Sequence, residues 1–393
     1  MKKLQYLIQI FFFAIILVSC QKEKNTYIDA NAPAPSPVTD IKVTATPGGA
    51  ILTYKIPEDY NLSYVKAMYE IQPGIFREAK SSYYRDSLTL VGFGDTLSHI
   101  VKIYSIGKNE KESIMIPITV KPLTPAVKSV FNTLTLDASF GGVQVTFQNS
   151  SQANLGITVL VDTTGKNTWS PITTFYTQAL NGNFNARGNF DLTQKRFAVV
   201  IKDRWNNKSD TLIKELIPWE EKLIDKSLFK VVKLPGDYWL EGGGYKLEKL
   251  WDGIYNVSNN LFVANTADFP QWWTVDLGLK TTLSRMKMYQ RIAYPYNNAW
   301  VKSFEIWGSN APDVDGGWKN WQKLGSFTSI KPSGLPDPSY TANDMAYVTA
   351  GEEFNFVGVI PAIRYLRFVM VENRGGTGAY LLGELTFWGQ TSI

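Results

Sequence analysis

Hydrophobic and polar residues alternate in short runs along most of this 393-residue chain. Val38-Thr39-Asp40-Ile41-Lys42-Val43 alternates, Pro47-Gly48-Gly49 supplies a turn, and Ala50-Ile51-Leu52-Thr53-Tyr54-Lys55-Ile56-Pro57 alternates again. Residues 64–71, 87–91, 100–106 and 114–120 continue the pattern. Period-two runs rich in β-branched and aromatic residues, punctuated by turn residues, predict the half-buried strands of a β-sandwich. Residues 123–218 repeat the plan, with strands expected at 134–136, 140–147, 156–162 and 196–202. Apolar residues 197–201 lead into a polar hairpin at 203–210, as residues 100–106 lead into one at 107–113, so the second region reads as a copy of the first. Residues 219–229 read as a linker with room for a helical turn. Beyond it, Trp272 to Leu277 alternates, which sets Trp273, Val275 and Leu277 on one face and Trp272, Thr274 and Asp276 on the other. Residues 364–369 likewise set Tyr365 and Arg367 opposite Leu366 and Phe368. Trp273, Phe304, Trp307, Phe368 and Trp388 are expected in the core. The predicted fold is all-β: sandwiches over 38–122 and 123–218, then a jelly-roll β-sandwich over 230–393.

The first twenty residues break this pattern. Met1-Lys2-Lys3 is followed by an apolar run from Leu4 to Val18 and then Ser19-Cys20. A positive start, an apolar stretch and a small residue before a cleavage point predict a secretory signal. The run is short for a bilayer span, which needs ~20 residues. Leu17-Val18-Ser19-Cys20 resembles the lipobox of bacterial lipoproteins, and Cys20 is the chain's only cysteine. The resemblance implies that Cys20 becomes the lipidated first residue of a mature protein held on the outer membrane. Residues 21–37 end in Ala32-Pro33-Ala34-Pro35-Ser36-Pro37, which favours extended chain and predicts a tether. Lys22-Glu23 resembles the charged export signal of surface-displayed lipoproteins in polysaccharide-degrading bacteria, which implies that the protein faces the cell exterior.

Composition narrows the chemistry. Hydrophobic content of 44% with 13% aromatic residues describes a globular protein. The net charge of +5 is spread out, without a basic run able to neutralise several phosphates, so nucleic acid is not an expected partner. His99 is the only histidine and lies in an apparent strand. A histidine triad and a multi-histidine metal site are thereby set aside. No carboxylate pair stands out as a glycosidase dyad, and the chain is not expected to be an enzyme.

Resemblances sharpen the domain reading. Pro37-Val38-Thr39, the glycine turn, a strand ending at Pro57 and Tyr54 near its end resemble a fibronectin type III domain. In the third region, Leu250-Trp251-Asp252-Gly253, Trp272-Trp273-Thr274-Val275-Asp276-Leu277-Gly278, Phe304-Glu305-Ile306-Trp307-Gly308-Ser309, Ile363-Arg364-Tyr365 and Gly383-Glu384-Leu385 form an ordered series. In order and spacing the series resembles the discoidin, or coagulation factor 5/8 type C, domain, whose galactose-binding-like fold family 32 carbohydrate-binding modules share. The whole chain resembles a polysaccharide-utilisation surface lipoprotein with two fibronectin-like domains and a C-terminal discoidin-like one.

The discoidin resemblance implies that loops at one end of the barrel hold a ligand. Three loops carry aromatic, Arg and Asn side chains outside the alternating strands: Tyr238 and Trp239; Arg291, Tyr294, Tyr296 and Trp300; and Asn373, Arg374 and Tyr380. An aromatic platform beside hydrogen-bonding groups matches a sugar's C–H face and hydroxyls. The competing role for these aromatics is to cap the sandwich. The resemblance also implies a structural calcium at Asp252 and Glu384, although Ile254-Tyr255-Asn256-Val257-Ser258 departs from the usual stretch after Asp-Gly. A short helix is expected within 336–356, capped by Thr341 or Asn343 and ended by Gly351. The expected function is glycan binding in support of polysaccharide capture, with an outer-membrane transporter complex as a partner. The alternatives are an adhesion or assembly protein that binds a protein partner, and a glycoside hydrolase accessory.

Overall fold

A computed structural model describes residues 28–393 apart from 189, 256–259, 265, 359, 377 and 393. The signal sequence, Cys20 and the start of the tether lie outside the described residues. The fold is all-β, as the alternation predicts. The first region contains β1 (Thr39–Thr46), β2 (Gly49–Lys55), β3 (Leu62–Gln72), β4 (Ile75–Ser82), β5 (Ser87–Val91), β6 (His99–Gly107) and β7 (Ile116–Val120). They form an antiparallel sheet β1-β2-β5 and another, β4-β3-β6-β7. Ala50, Leu52, Leu88 and Leu90 of the first sheet share one core with Val65, Ala67, Tyr69, Val101 and Ile103 of the second. Tyr54 is buried in that core and donates its hydroxyl to the Arg85 carbonyl at 3.2 Å. His99 sits in β6, with Nε2 2.8 Å from Asp95 Oδ1. The tether differs from expectation. Asn61 Nδ2 donates to the Pro33 carbonyl, and Asn109 Nδ2 and Lys111 Nζ both donate to that of Ala32, so this stretch is fastened to the first sandwich.

The second region holds α1 (Ala126–Phe131), β8 (Thr135–Ser139), β9 (Gly142–Gln148), β10 (Leu155–Asp162), β11 (Ser170–Thr177), β12 (Asn181–Arg187), β13 (Lys195–Asp203) and β14 (Lys208–Leu216). Its sheets are β12-β9-β8 and β11-β10-β13-β14. The repeat seen in sequence has a physical counterpart. Ser113 Oγ accepts from Ser105 N–H and donates to the Ile114 carbonyl. Ser209 Oγ accepts from Ile201 N–H and donates to the Asp210 carbonyl, the same pair of bonds at the same eight-residue separation.

The C-terminal region contains β15 (Lys222–Leu223), β16 (Lys230–Val232), β17 (Phe262–Val263), β18 (Gln271–Tyr289), β19 (Val301–Ser309), β20 (Gln322–Thr328), α2 (Ala342–Thr349), β21 (Glu352–Asn355), β22 (Ile363–Asn373), β23 (Leu381–Leu382) and β24 (Glu384–Ser392). Leu223, expected in a linker, pairs instead with Trp388 at the sheet edge. The 19-residue β18 organises the domain. Its first part pairs with β16 and β22, and its second with β21 and β24. The chain turns this corner at Gly278, whose φ is +80°. A side chain there would be strained, and its Cβ would stand 2.7 Å from Leu228 Cβ. Trp273, Val275 and Leu277 from the first part, Met286 and Met288 from the second, and Phe304, Ile306, Leu366, Phe368, Leu385 and Phe387 make one core. Trp273, Phe304 and Phe368 stack within it, at 5.3 and 4.8 Å between neighbouring centroids. Trp307 and Trp388 do not join it. Phe304 and Ile306 take the inward positions of β19, and Leu385 and Phe387 those of β24, so alternation turns both tryptophans outward. Trp388 lies beneath the Arg285 guanidinium, 3.9 Å away.

Thr341 is the cap of α2. Its hydroxyl accepts from Asp344 N–H while the Asp344 carboxylate accepts from Thr341 N–H, a complete capping box. Gly351, with φ +81°, follows the helix end as expected.

Candidate functional site

The face of the C-terminal sheet opposite the core is where the structure departs most from a solvated surface. Register fixes its rows. Trp272, Val369 and Glu305 lie side by side on β18, β22 and β19; Thr274, Arg367, Trp307 and Lys323 make the next row. The Arg367 side chain is fully buried. Trp318 and Trp321, from the β19–β20 loop, close over its guanidinium at 4.4 and 4.3 Å, and Trp272 lies 5.9 Å away. Arg367 Nε donates to Thr274 Oγ1, and the buried Asp237 carboxylate stands 3.9 Å from Nη2. Burial pushes the Asp237 carboxyl up, while the Leu234 N–H, Arg367 and Thr274 act in the opposite sense. A guanidinium suits such a cage because it stacks on aromatic faces and is weakly hydrated.

The tryptophans that cover Arg367 also build a groove. Trp318 meets both Trp272 and Trp307 edge-on, each at 5.1 Å between centroids. Trp307, Trp318, Phe269, Pro270, Val369, Val371 and Glu305 line a groove of about 500 Å³. Glu305 is its polar group. Its carboxylate accepts from Lys323 Nζ at 2.6 Å and Trp307 Nε1 at 2.8 Å. Burial alone would raise the Glu305 carboxyl, but Lys323 and Trp307 more than offset it and hold it below the ordinary range. The result is a fixed, ionised acceptor beside a half-buried indole pair, with the Lys323 ammonium 5.3 Å over one face of the Trp307 ring. Sequence reasoning missed this groove because it placed Trp307 in the core. The inward pairing of Phe304 with Ile306 was the available signal.

The loop set has a different fate. Trp239 and Tyr380 lie in the core, the latter fully enclosed. Tyr296 and Trp300 pack with Val348 of α2, so the capping role describes them. Arg374 and Lys331 both lie over the Tyr296 ring, at 4.9 and 4.4 Å, and both pair with Asp337. Burial pushes the Tyr296 hydroxyl well above the usual phenol range. Asn373 is buried and donates to the Ala379 carbonyl. These groups fasten loops together. Tyr238, at 39% exposed, and Tyr294, at 59%, remain open to solvent, and the Arg291 guanidinium lies 4.7 Å over the Tyr294 ring.

Two of the sequence landmarks meet physically. Arg364 forms a two-pronged pair with Asp276, with Nε and Nη2 each 2.9 Å from a carboxylate oxygen. Asp276 also accepts from Gly278 N–H and so ties β22 to the corner of β18.

The expected calcium position holds a different cation. Lys226 Nζ donates to Glu384 Oε1, and Gly253 N–H donates to Oε2 at 3.2 Å. Asp252 accepts from Asn260 Nδ2 and Ile254 N–H. Calcium needs six to eight oxygens, and an ammonium on the same carboxylate opposes a second positive charge. No cluster of three or more metal-ligating His, Cys, Asp or Glu exists among the described residues, and Asn256, Val257 and Ser258, whose carbonyls the calcium site would need, lie outside them. A chelator is expected to leave the melting temperature unchanged. Lys226→Met is expected to destabilise by about 1–3 kcal/mol, because it leaves the Glu384 carboxylate buried without its cation. Burial already raises the Glu384 carboxyl. In the variant the native state favours the protonated form further, so the loss should shrink as pH falls through the raised pKa and grow towards neutrality. Thermal melts at two pH values, with and without chelator, check both statements.

Comparison with known proteins places these features. Residues 35–122, 123–227 and 251–389 each match a family described as a domain of unknown function, DUF4959, DUF5126 and DUF5000 respectively. No curated protein matches the chain. The family 32 carbohydrate-binding module of NanJ from Clostridium perfringens, solved with galactose, is 17% identical; the match covers 43% of this chain and 98% of that one, with a TM-score of 0.30. A factor 5/8 type C domain from Bacteroides fragilis is 14% identical over 44% of this chain and 98% of that one, with a TM-score of 0.31. A SusE-like protein is 31% identical over 68% of this chain and 100% of its own length, with a TM-score of 0.46. On that identity across the relative's full length, the chain belongs to the SusE-like family.

Proposed function

We propose that this protein is a cell-surface lipoprotein that binds glycans through its C-terminal domain and so captures polysaccharide for uptake by an outer-membrane transporter. The observation that carries the reading is the groove of Trp307, Trp318 and Phe269 with Glu305 on its wall. An aromatic face beside a fixed acceptor is the chemistry that binds a sugar ring, which offers an apolar C–H face and hydroxyl donors. The groove replaces most of the loop set as the contact surface, because burial withdraws Trp239, Tyr296, Trp300 and Tyr380 from solvent. A second reading keeps the ligand at the loops, where Arg291 stacks on the exposed Tyr294. The groove is read as a binding site because its one carboxylate, Glu305, is held as an acceptor by Lys323 and Trp307. Native electrophoresis of the mature chain through gels containing soluble polysaccharides tests the reading, with retardation expected in at least one of them.

Membrane attachment is assigned to Cys20. Among the described residues no helix is long and apolar enough to cross a membrane. A diacylglycerol with an added acyl chain would supply more than one lipid tail, which stable anchoring requires. Cys20→Ser is expected to move the protein from the membrane fraction to the soluble one or to leave the signal uncleaved. Unchanged fractionation with normal maturation would contradict the lipoprotein assignment.

A further inference from the structure

We infer that the second sandwich carries a saccharide site of its own, specific for an acidic sugar residue, on the outer face of the sheet β11-β10-β13. This goes beyond the C-terminal groove and does not depend on it. Tyr176 and Lys202 both pair with Gly156, so the three lie in one row across the sheet. Gly156 has no side chain, and the Tyr176 ring rests in the gap. A Cβ built on Gly156 would stand 3.2 Å from Tyr176 Cε1. One side of the ring is thus spent on backbone, while the residue as a whole stays 81% exposed. The neighbouring row presents the paired hydroxyls of Thr158 and Thr174, 2.9 Å apart. Together with Asn154 and Arg204 these groups bound a cleft of about 460 Å³. That size falls within the range of small-molecule sites.

Charge selects the ligand. Asp203 is the nearest acid in the cleft, but its carboxylate is consumed. Oδ1 accepts from the N–H groups of Trp205 and Asn207, and Oδ2 from Asn207 Nδ2. Lys202 and Arg204 therefore have no carboxylate partner among the described residues. The Arg204 guanidinium lies 4.4 Å over the Trp205 ring, which fixes its plane and leaves its N–H edges available. A flat open ring, two cations against the single charge of Asp203, and hydroxyl and amide hydrogen-bonders together match a pyranose that carries a carboxylate. The C–H face stacks on Tyr176, the carboxylate meets Lys202 and Arg204, and the ring hydroxyls meet Thr158, Thr174 and Asn154. The region would then hold substrate, not merely space the C-terminal domain from the membrane.

The test is native electrophoresis of the mature chain through gels containing polygalacturonate, alginate or hyaluronan, with neutral galactan as comparison. A Trp307→Ala chain, whose C-terminal groove is disabled, should still be retarded by at least one acidic polymer. Adding Tyr176→Ala or Lys202→Glu should weaken that retardation at least five-fold. Tyr176→Phe, which keeps the ring, should retain it, and so should Lys42→Glu, which alters an exposed cation elsewhere. The inference is overturned if no acidic polymer retards the Trp307→Ala chain. It is also overturned if Lys42→Glu weakens retardation as much as Lys202→Glu, which would show unspecific charge attraction. Retardation by an acidic polymer that depends on Tyr176 but not on Trp307 would uphold this site, and loss of neutral-polymer retardation in Trp307→Ala reports the C-terminal groove separately.

Discussion

Arg367→Met is expected to destabilise the C-terminal domain by about 3–5 kcal/mol, the cost of removing one partner of a buried charge pair. The guanidinium touches Trp318 and Trp321 and is the cation nearest the buried Asp237 carboxylate. Its loss would leave that carboxylate without a counter-charge and three indole rings without their central packing partner. The pH dependence follows in sign. Burial already holds the Asp237 carboxyl above its ordinary value, and Arg367 opposes that shift. Without Arg367 the folded-state pKa rises further, so the native state binds the proton more readily than the unfolded chain does. Stability of the variant relative to the parent should therefore be best preserved at acid pH, and the gap should widen as pH rises from the parent's raised folded pKa towards the variant's still higher one. Melts at pH 4.5 and 7.5 check this. Arg367→Met combined with Asp237→Asn should recover part of the loss, since it removes the stranded charge. Arg367→Lys should not, because an ammonium lacks the planar faces that the tryptophans cover.

The second large effect concerns binding. Trp307→Ala is expected to weaken glycan binding at least ten-fold, equivalent to about 1.4 kcal/mol, without a matching loss of stability. The Trp307 ring points away from the core, and its indole N–H bonds only to Glu305, which keeps Lys323 as a partner after the change. Trp318→Ala is the poorer probe, because Trp318 also covers Arg367. Glu305→Gln separates the platform from the acceptor. It keeps the groove's shape but removes the charge that Lys323 pairs with, so binding should weaken less than on loss of Trp307. Calorimetric titration with an oligosaccharide of a neutral polymer that retards the parent chain, alongside thermal melts, distinguishes the two effects.

Much of the fold was legible because alternation is a local property. Trp273, Val275 and Leu277 face the core and Trp272, Thr274 and Asp276 the other side, as their spacing required. The parallel between residues 100–113 and 197–210 survives as the matched bonds of Ser113 and Ser209. The α2 cap was written in Thr341 and Asp344. The site was less legible, since burial of a loop side chain depends on what folds over it. Nothing around Tyr380 announces the rings of Phe262 and Phe368 that enclose it. Nothing around Arg374 shows that Asp337, 37 residues away, will neutralise it. Likewise the ammonium of Lys226 reaches Glu384 from 158 residues away, which no local motif reveals. Trp307 is the instructive case. Its own strand contained the answer, because two inward residues at 304 and 306 leave 307 outside.

The most direct test of the central claim compares two variants on one polysaccharide panel. Trp307→Ala removes the groove's platform, and the double change Arg291→Ala with Tyr294→Ala removes the solvent-exposed pair of the loop end. Affinity of the mature chain for a neutral polymer that retards it should fall at least ten-fold in the first and stay within about two-fold in the second. The opposite outcome, loss with the loop variant and retention with Trp307→Ala, would contradict the groove and return the glycan to the loops.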